Sequence, residues 1–337
     1  MKFTNTVKAT IVGLGIGVPE RVLTNQDLEN MVDTSDEWIV ERTGIRERRI
    51  ASPEQATSDF AELAGRRALE QAGLTPRDLD LIVLCTVGPD RFVPPGACTL
   101  QSRLGASQAA AFDLNAACSG FLYGLAVANG LICGGSYRRV LLVGAETLSR
   151  IIDYQDRNTC VLFGDGAGAA VLVPSTDNSG LLAYNLGADG TGGDLLQVPA
   201  GGSRIPATHD SVSRKLHYAQ MKGNEIFKLA VRAMVKSVDQ SLEEAGMSRR
   251  DIDWMVPHQA NLRIIEAAAS RLGIAREQVI INIDRYGNTA AASIPIALAE
   301  AAEQGQIKDG HIVALAGFGA GLTWGSAIIR WGRMGAV

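Results

Sequence analysis

The chain has 337 residues, 46% of them hydrophobic and 20% charged, which is ordinary for a globular protein with a sizeable core. That length exceeds one typical domain and suits either two domains or one duplicated fold. A net charge of −4 argues against a general nucleic-acid binder.

The N-terminus, MKFTNTVKATIVGLG, lacks the apolar run and cleavage site of a secretory signal. GLGIGVP at 13–19 follows a strand, but Pro19 interrupts the helix that a dinucleotide-binding fingerprint requires. Residues 69–83, LEQAGLTPRDLDLIV, read as a helix ending at Gly, a short polar turn and a buried strand. The same pattern returns at 242–256 as LEEAGMSRRDIDWMV, ungapped at an offset of 173 with eight identities. From Leu114 to Tyr137 no residue is charged, a stretch long enough to span a bilayer. Asn115, Ser119, Asn129, Ser136 and five glycines, together with the strand-like AAFDL before it, point instead to a helix buried within a soluble protein, with no membrane span.

A second echo pairs RRVLLVGAE (138–146) with GHIVALAGF (310–318), and GDGAGAAVLV (164–173) parallels GAGLTWGSAII (319–329). Near-continuous apolar strands alternating with helices imply sheets covered on both faces. The expected architecture is two similar α/β halves, 1–178 and 179–337, with an excursion from Gly187 to Lys215 rich in Gly, Ser, Thr and Pro. A ligand site at their junction would draw catalytic groups from both.

Five cysteines (Cys85, Cys98, Cys118, Cys133 and Cys160) include no CxxC pair, so neither a disulfide framework nor a metal site is expected, and a reducing cytoplasm is the expected compartment. Cys118, in DLNAACSGFLYGL, lies where a strand ends and the uncharged helix begins. An ordinary thiol, with pKa about 8.5, is only a few per cent thiolate at neutral pH. A helix terminus worth up to ~2 kcal/mol brings that share to about half. A buried structural cysteine is the competing explanation.

His258 follows the repeated strand DIDWMV, at the carboxyl end of a strand where α/β proteins place ligands. His209, His217 and His311 read as surface or turn residues. Asn288 lies in a turn followed by small and apolar residues, so a buried amide there needs partners. AGFGAGLTWG (316–325) could present a backbone N–H to a developing oxyanion.

These segments closely resemble the beta-ketoacyl-acyl-carrier-protein synthase III family of the thiolase superfamily. The matching stretches are DTSDEWIVERTGIRERRIA, AACSGF, FGDGAGAAVL, MKGNEIFK, VPHQANLRII, YGNTAAASIP and FGAGLTWGSA, in family order over essentially the whole chain. The resemblance implies a duplicated, five-layer α-β-α-β-α fold. It implies that Cys118 takes an acyl group from a short acyl-CoA primer, and that His258 and Asn288 then stabilise the enolate formed as malonyl-acyl carrier protein loses CO2. Backbone N–H groups of Cys118 and Ala320 would hold the oxyanion, and Phe318 would flank the departing carboxylate. A positive φ at Ala320, where the family often has glycine, would be costly.

The resemblance further implies Thr34, Trp38, Arg42 and Arg157 around the CoA nucleotide, with Trp38 and Arg157 sandwiching adenine. Gly223, Asn224 and Asn261 would line the pantetheine arm. Phe92 and Val93 would border the acyl pocket, with Val93 leaving it roomier than one built for acetyl. Lys228, Gln259, Ala260, Asn261, Leu262 and Arg263, helped by the basic run Arg46, Arg48 and Arg49, would meet the acyl carrier protein. No permanently bound cofactor is expected, and a cytoplasmic homodimer is. The rival readings are a related enzyme of secondary metabolism with another primer or acceptor, a non-catalytic thiolase-fold partner subunit, and a nucleotide-dependent oxidoreductase.

Overall fold

The computed structural model describes residues 7–335. Nine strands build two large sheets. The first contains β1 (Ala9–Gly17), β2 (Leu81–Cys85), β3 (Ala110–Leu114), β4 (Val140–Glu146) and β5 (Gly166–Pro174) in the order β1-β5-β4-β2-β3. The second contains β6 (Gly180–Ala188), β7 (Trp254–Pro257), β8 (Ile312–Gly319) and β9 (Thr323–Arg330) in the order β7-β8-β9-β6. Each has a parallel part, β4-β2-β3 or β7-β8, extended by antiparallel strands.

Seven helices of eight or more residues cover these sheets: α1 (Asp36–Thr43), α2 (Thr57–Ala72), α3 (Gly96–Leu104), α4 (Gly120–Cys133), α5 (Gly223–Ala245), α6 (Leu262–Leu272) and α7 (Ser293–Glu303). α2 and α3 pack on the outer face of the first sheet and α5 on that of the second, with α6 against α5. α4 and α7 each touch strands of both sheets and form the middle layer, giving the α-β-α-β-α order of the thiolase fold. That position explains why Leu114–Tyr137 carries no charge: nine of the fourteen α4 residues are buried. Asn129, the polar residue in its interior, accepts a hydrogen bond from the Ala9 N–H at 2.9 Å. Among the described residues no helix is long and apolar enough to cross a membrane.

The repeated segments fold alike, and their identical residues explain why. α2 ends at Gly73 (φ 68) and α5 at Gly246 (φ 69), left-handed positions that a side chain would strain. Thr75 and Ser248 then donate to Asp78 and Asp251 from both N–H and hydroxyl, closing matched turns. Asp80 and Asp253 take the next step. Asp80 accepts from the N–H groups of Arg138 and Arg139 ahead of β4, and Asp253 accepts from that of Ile312 opening β8. Each therefore sets the register of the neighbouring strand.

The excursion begins after β6, at Asp189, and contains short turns and the helical turn His209–Ser213. Its inner residues turn back toward the sheet junction, where they line a cavity described below.

Candidate active site

Cys118 occupies a tight turn, Ala117–Ser119, between β3 and α4. Ala117 is held at φ 48, a conformation uncommon for a residue with a Cβ, and Asn115 Oδ1 braces it by accepting from its N–H at 3.1 Å. Cys118 is 7% exposed. Burial foremost, with the Glu146 carboxylate second, pushes its thiol up to about 12; the N–H groups of Cys118 and Ala320 pull the other way. The half-ionised sulfur expected from the helix terminus is therefore not the resting state. Desolvation outweighs the dipole, and the side chain is a thiol at neutral pH.

The two N–H groups that reach this sulfur are those expected of an oxyanion hole. β8 brings the second one into place because Gly319 passes against the Cys118 backbone: a Cβ there would lie 2.7 Å from the Cys118 nitrogen. The left-handed backbone of the turn falls on Gly321 (φ 134) and spares Ala320.

His258 follows β7 directly, its N–H donating to Ala316 O of β8 at 2.7 Å. The imidazole is buried, and burial lowers it to about 4, so at neutral pH it is uncharged. Its Nδ1 lies 2.6 Å from Ser293 Oγ. Sequence reasoning passed over Ser293; its only signal there was a lone hydroxyl among small residues opening a buried helix.

Asn288 is pinned to the first half. Its N–H donates to Leu162 O, and its carbonyl accepts from the Gly164 N–H. Its Oδ1 accepts from Ala290 N–H at 2.9 Å. With the oxygen so engaged, the free end of the amide is the Nδ2 donor. Cys118, His258, Asn288, Phe318 and Ala320 together line one cavity of about 790 Å³. Two neutral donors beside a cysteine can support an anion on an adjacent carbonyl oxygen.

The model of 3-oxoacyl-[acyl-carrier-protein] synthase III matches residues 112–190, and that of its C-terminal region matches residues 242–331. A beta-ketoacyl-[acyl-carrier-protein] synthase III from Caldanaerobacter subterraneus subsp. tengcongensis is 56% identical over 97% of this chain and 99% of its own. The chain belongs to the beta-ketoacyl-acyl-carrier-protein synthase III family. The crystal structure of the 3-oxoacyl-[acyl-carrier-protein] synthase III from Aquifex aeolicus is similar at 46% identity, with TM-score 0.89 over 96% of this chain and 100% of that one. The priming beta-ketosynthase of a polyketide biosynthetic pathway is similar at 35% identity, with TM-score 0.90 over 99% of both chains.

The remaining synthase III positions divide between two cavities and the surface. Trp38, Arg42, Gly223, Asn224, Lys228, Ala260, Asn261 and Arg263 line the same cavity as Cys118. Asn261 also ties the halves together, its Nδ2 donating to Arg42 O at 2.9 Å. Thr34 and Arg157 lie outside that lining. The Arg157 guanidinium is 5.0 Å from the Trp38 ring centroid and donates to Asp33 O; Arg42 lies 5.2 Å from the same ring. Trp38 and Arg157, the pair expected around adenine, therefore stack directly on one another.

A second cavity, about 870 Å³, meets the first at Cys118, Phe163, Leu196 and Ala320. Val87, Leu148, Ile151, Ile152 and Ala219 make its wall largely apolar, and Phe92 borders it. Val93 does not line it and is 81% exposed, so it cannot widen this chamber within one chain. Gln259 and Arg48 are also misplaced as carrier-protein contacts. Gln259 is 1% exposed and spends its amide on Pro257 O, Ile280 O and the Asn282 N–H. Arg48 is fully buried and donates to Leu23 O, Asn25 Oδ1 and Val161 O. Lys228, Arg263 and Arg46 are exposed, whereas Leu262 is half-buried, its side chain lying against Gly44.

Proposed function

We propose that the chain joins an acyl-CoA primer to malonyl-acyl carrier protein by decarboxylative Claisen condensation, the step that initiates fatty acid synthesis, with Cys118 as nucleophile. The observation that carries this assignment is the place of Cys118 where two cavities meet. One has a mouth of polar and cationic residues suited to a nucleotide thioester; the other is an apolar chamber suited to an acyl chain.

In the first half-reaction the Cys118 sulfur attacks the primer carbonyl, and the N–H groups of Cys118 and Ala320 take the negative oxygen. Collapse expels CoA, which leaves as its thiol carrying the proton lost from Cys118. Malonyl-acyl carrier protein then occupies the vacated cavity. Its carboxylate leaves as CO2, and the bond's electron pair forms an enolate whose oxygen accepts hydrogen bonds from His258 and Asn288. A carboxylate at position 288 would repel that anion; a carboxamide does not. The enolate carbon attacks the acyl-Cys118 carbonyl, forming the carbon–carbon bond and freeing the sulfur as a thiolate, which takes a proton from solvent to regain the thiol. Phe318, buried beside these groups, keeps the departing carboxylate poorly solvated.

Lys228 and Arg263 at the cavity mouth suit an acidic carrier protein. The reading includes a cytoplasmic homodimer, in which a second copy would cover Phe92 and Val93, apolar neighbours that are 84% and 81% exposed. Intact-protein mass spectrometry after exposure to acetyl-, isobutyryl- and octanoyl-CoA tests the assignment. An acyl adduct is expected on the wild-type chain and none on Cys118→Ala; wild-type protein unmodified by every thioester would end it.

A further inference from the structure

We propose that Ser293 is a positioning residue that holds His258 in its Nε2–H tautomer by donating its hydroxyl proton to Nδ1. This rests on the reading above, in which His258 acts as a hydrogen-bond donor.

The assignment follows from counting protons. Ser293 Oγ has two partners among the described residues: His258 Nδ1 at 2.6 Å and the Gln259 N–H at 3.3 Å. The backbone N–H can only donate, so the oxygen accepts there. That leaves one hydroxyl proton, and among the described residues Nδ1 is the only acceptor paired with it. An uncharged imidazole carries a single N–H; if Nδ1 accepts, the proton is on Nε2. Ser293 lines neither large cavity while His258 lines the one containing Cys118. The nitrogen facing the reaction is therefore the protonated one. The opposite tautomer would aim a lone pair at the enolate oxygen and repel it.

The duplication supplies an internal control. At the offset of 173, His258 corresponds to Cys85 and Ser293 to Gly120. The first-half pair is likewise adjacent, since a Cβ added at Gly120 would lie 3.3 Å from Cys85 Cβ. Where no imidazole is present, the hydroxyl is missing too.

The direct test is nitrogen NMR of protein labelled with 15N only in histidine, which has four such residues to resolve. His258 is expected to show an unprotonated Nδ1 and a protonated Nε2, its signals identified by their loss in His258→Gln. A proton on Nδ1 in the wild type would overturn the proposal whether or not any variant folds. In kinetics, Ser293→Ala should lower kcat for malonyl decarboxylation roughly ten- to a hundredfold, with KM for malonyl-acyl carrier protein moved less than about threefold. Acyl loading of Cys118 should persist, and Ser293→Thr should restore most of the rate. Wild-type kcat in a folded Ser293→Ala protein would also overturn it. Failure of the broader reading looks different: the wild type would form no acyl adduct at all, while the nitrogen shifts would still report the tautomer.

Discussion

Two turns of this molecule share a backbone and differ in chemistry. One runs from Asn115 to Gly120 and carries Cys118; the other runs from Asn288 to Ser293 and has Ala291 at the corresponding place, 173 residues later. Each opens with an asparagine whose Oδ1 accepts the N–H two residues on. Each then places an alanine at positive φ, 48° at Ala117 and 43° at Ala290, before a helix of the middle layer. The strands that approach them also correspond, since β4 ends at Glu146 and β8 at Gly319, again 173 apart. This corrects by one residue the alignment of 138–146 with 310–318. Duplication therefore built two equal frames, and the site arose from a few positions where they no longer match. The first turn carries Cys118 and the second a cavity-lining amide donor, Asn288; β2 ends on Cys85 where His258 follows β7.

The sharpest way to break this comparison is to move the thiol. Cys118→Ala should lower condensation by roughly 10⁴-fold or more, and adding Ala291→Cys should not restore an acyl adduct. Ala291 is buried and lines neither large cavity; an adduct at position 291 in the double variant, seen by mass spectrometry, would show the frames to be interchangeable.

Next come the two asparagines. Asn288→Ala should cut malonyl decarboxylation by about 10²–10³-fold. Asn115→Ala loses one backbone brace worth about 1 kcal/mol and should keep activity within about tenfold. Equal losses in a CO2-release assay would mean that both act only on the fold.

Gly319→Ala tests the approach of β8 to Cys118. Its added methyl meets backbone at 2.7 Å, so a destabilisation of about 1–3 kcal/mol is expected in denaturant unfolding, with loss of acyl loading. An unchanged midpoint would show that the strand yields.

The smallest effect concerns pH. Burial lowers His258 from 6.5 to about 4, so the unfolded chain binds this proton first as pH falls. The stability it contributes is complete above about pH 6.5 and drains away toward pH 4. Between pH 7 and 4 the thermal midpoint of His258→Gln should fall less than that of the wild type. Parallel curves would place the acid sensitivity in other groups.

Much of this was legible without coordinates. Gly73 and Gly246, the polar turns and the apolar strands follow local rules of capping and burial, which is why an ungapped repeat disclosed the frame. Cys118, His258 and Asn288 could be singled out because each stands where a strand or turn delivers side chains toward a junction. The surface assignments fared less well. Gln259 and Arg48 look solvent-facing as residue types, yet both are buried and donate to carbonyls that come from distant segments. Trp38 and Arg157 found each other because 118 residues of intervening chain fold back.

The amino-acid order alone settled the repeat, the helix ends, the buried strands and the family, since each depends on neighbours within a few residues or on a pattern that survives copying. Only the assembled fold decided that Cys118 rests as a thiol, that Asn288 turns its amide nitrogen outward, and that Ser293 reaches His258. Those outcomes depend on which groups lose water together, and residues far apart in the chain determine that jointly.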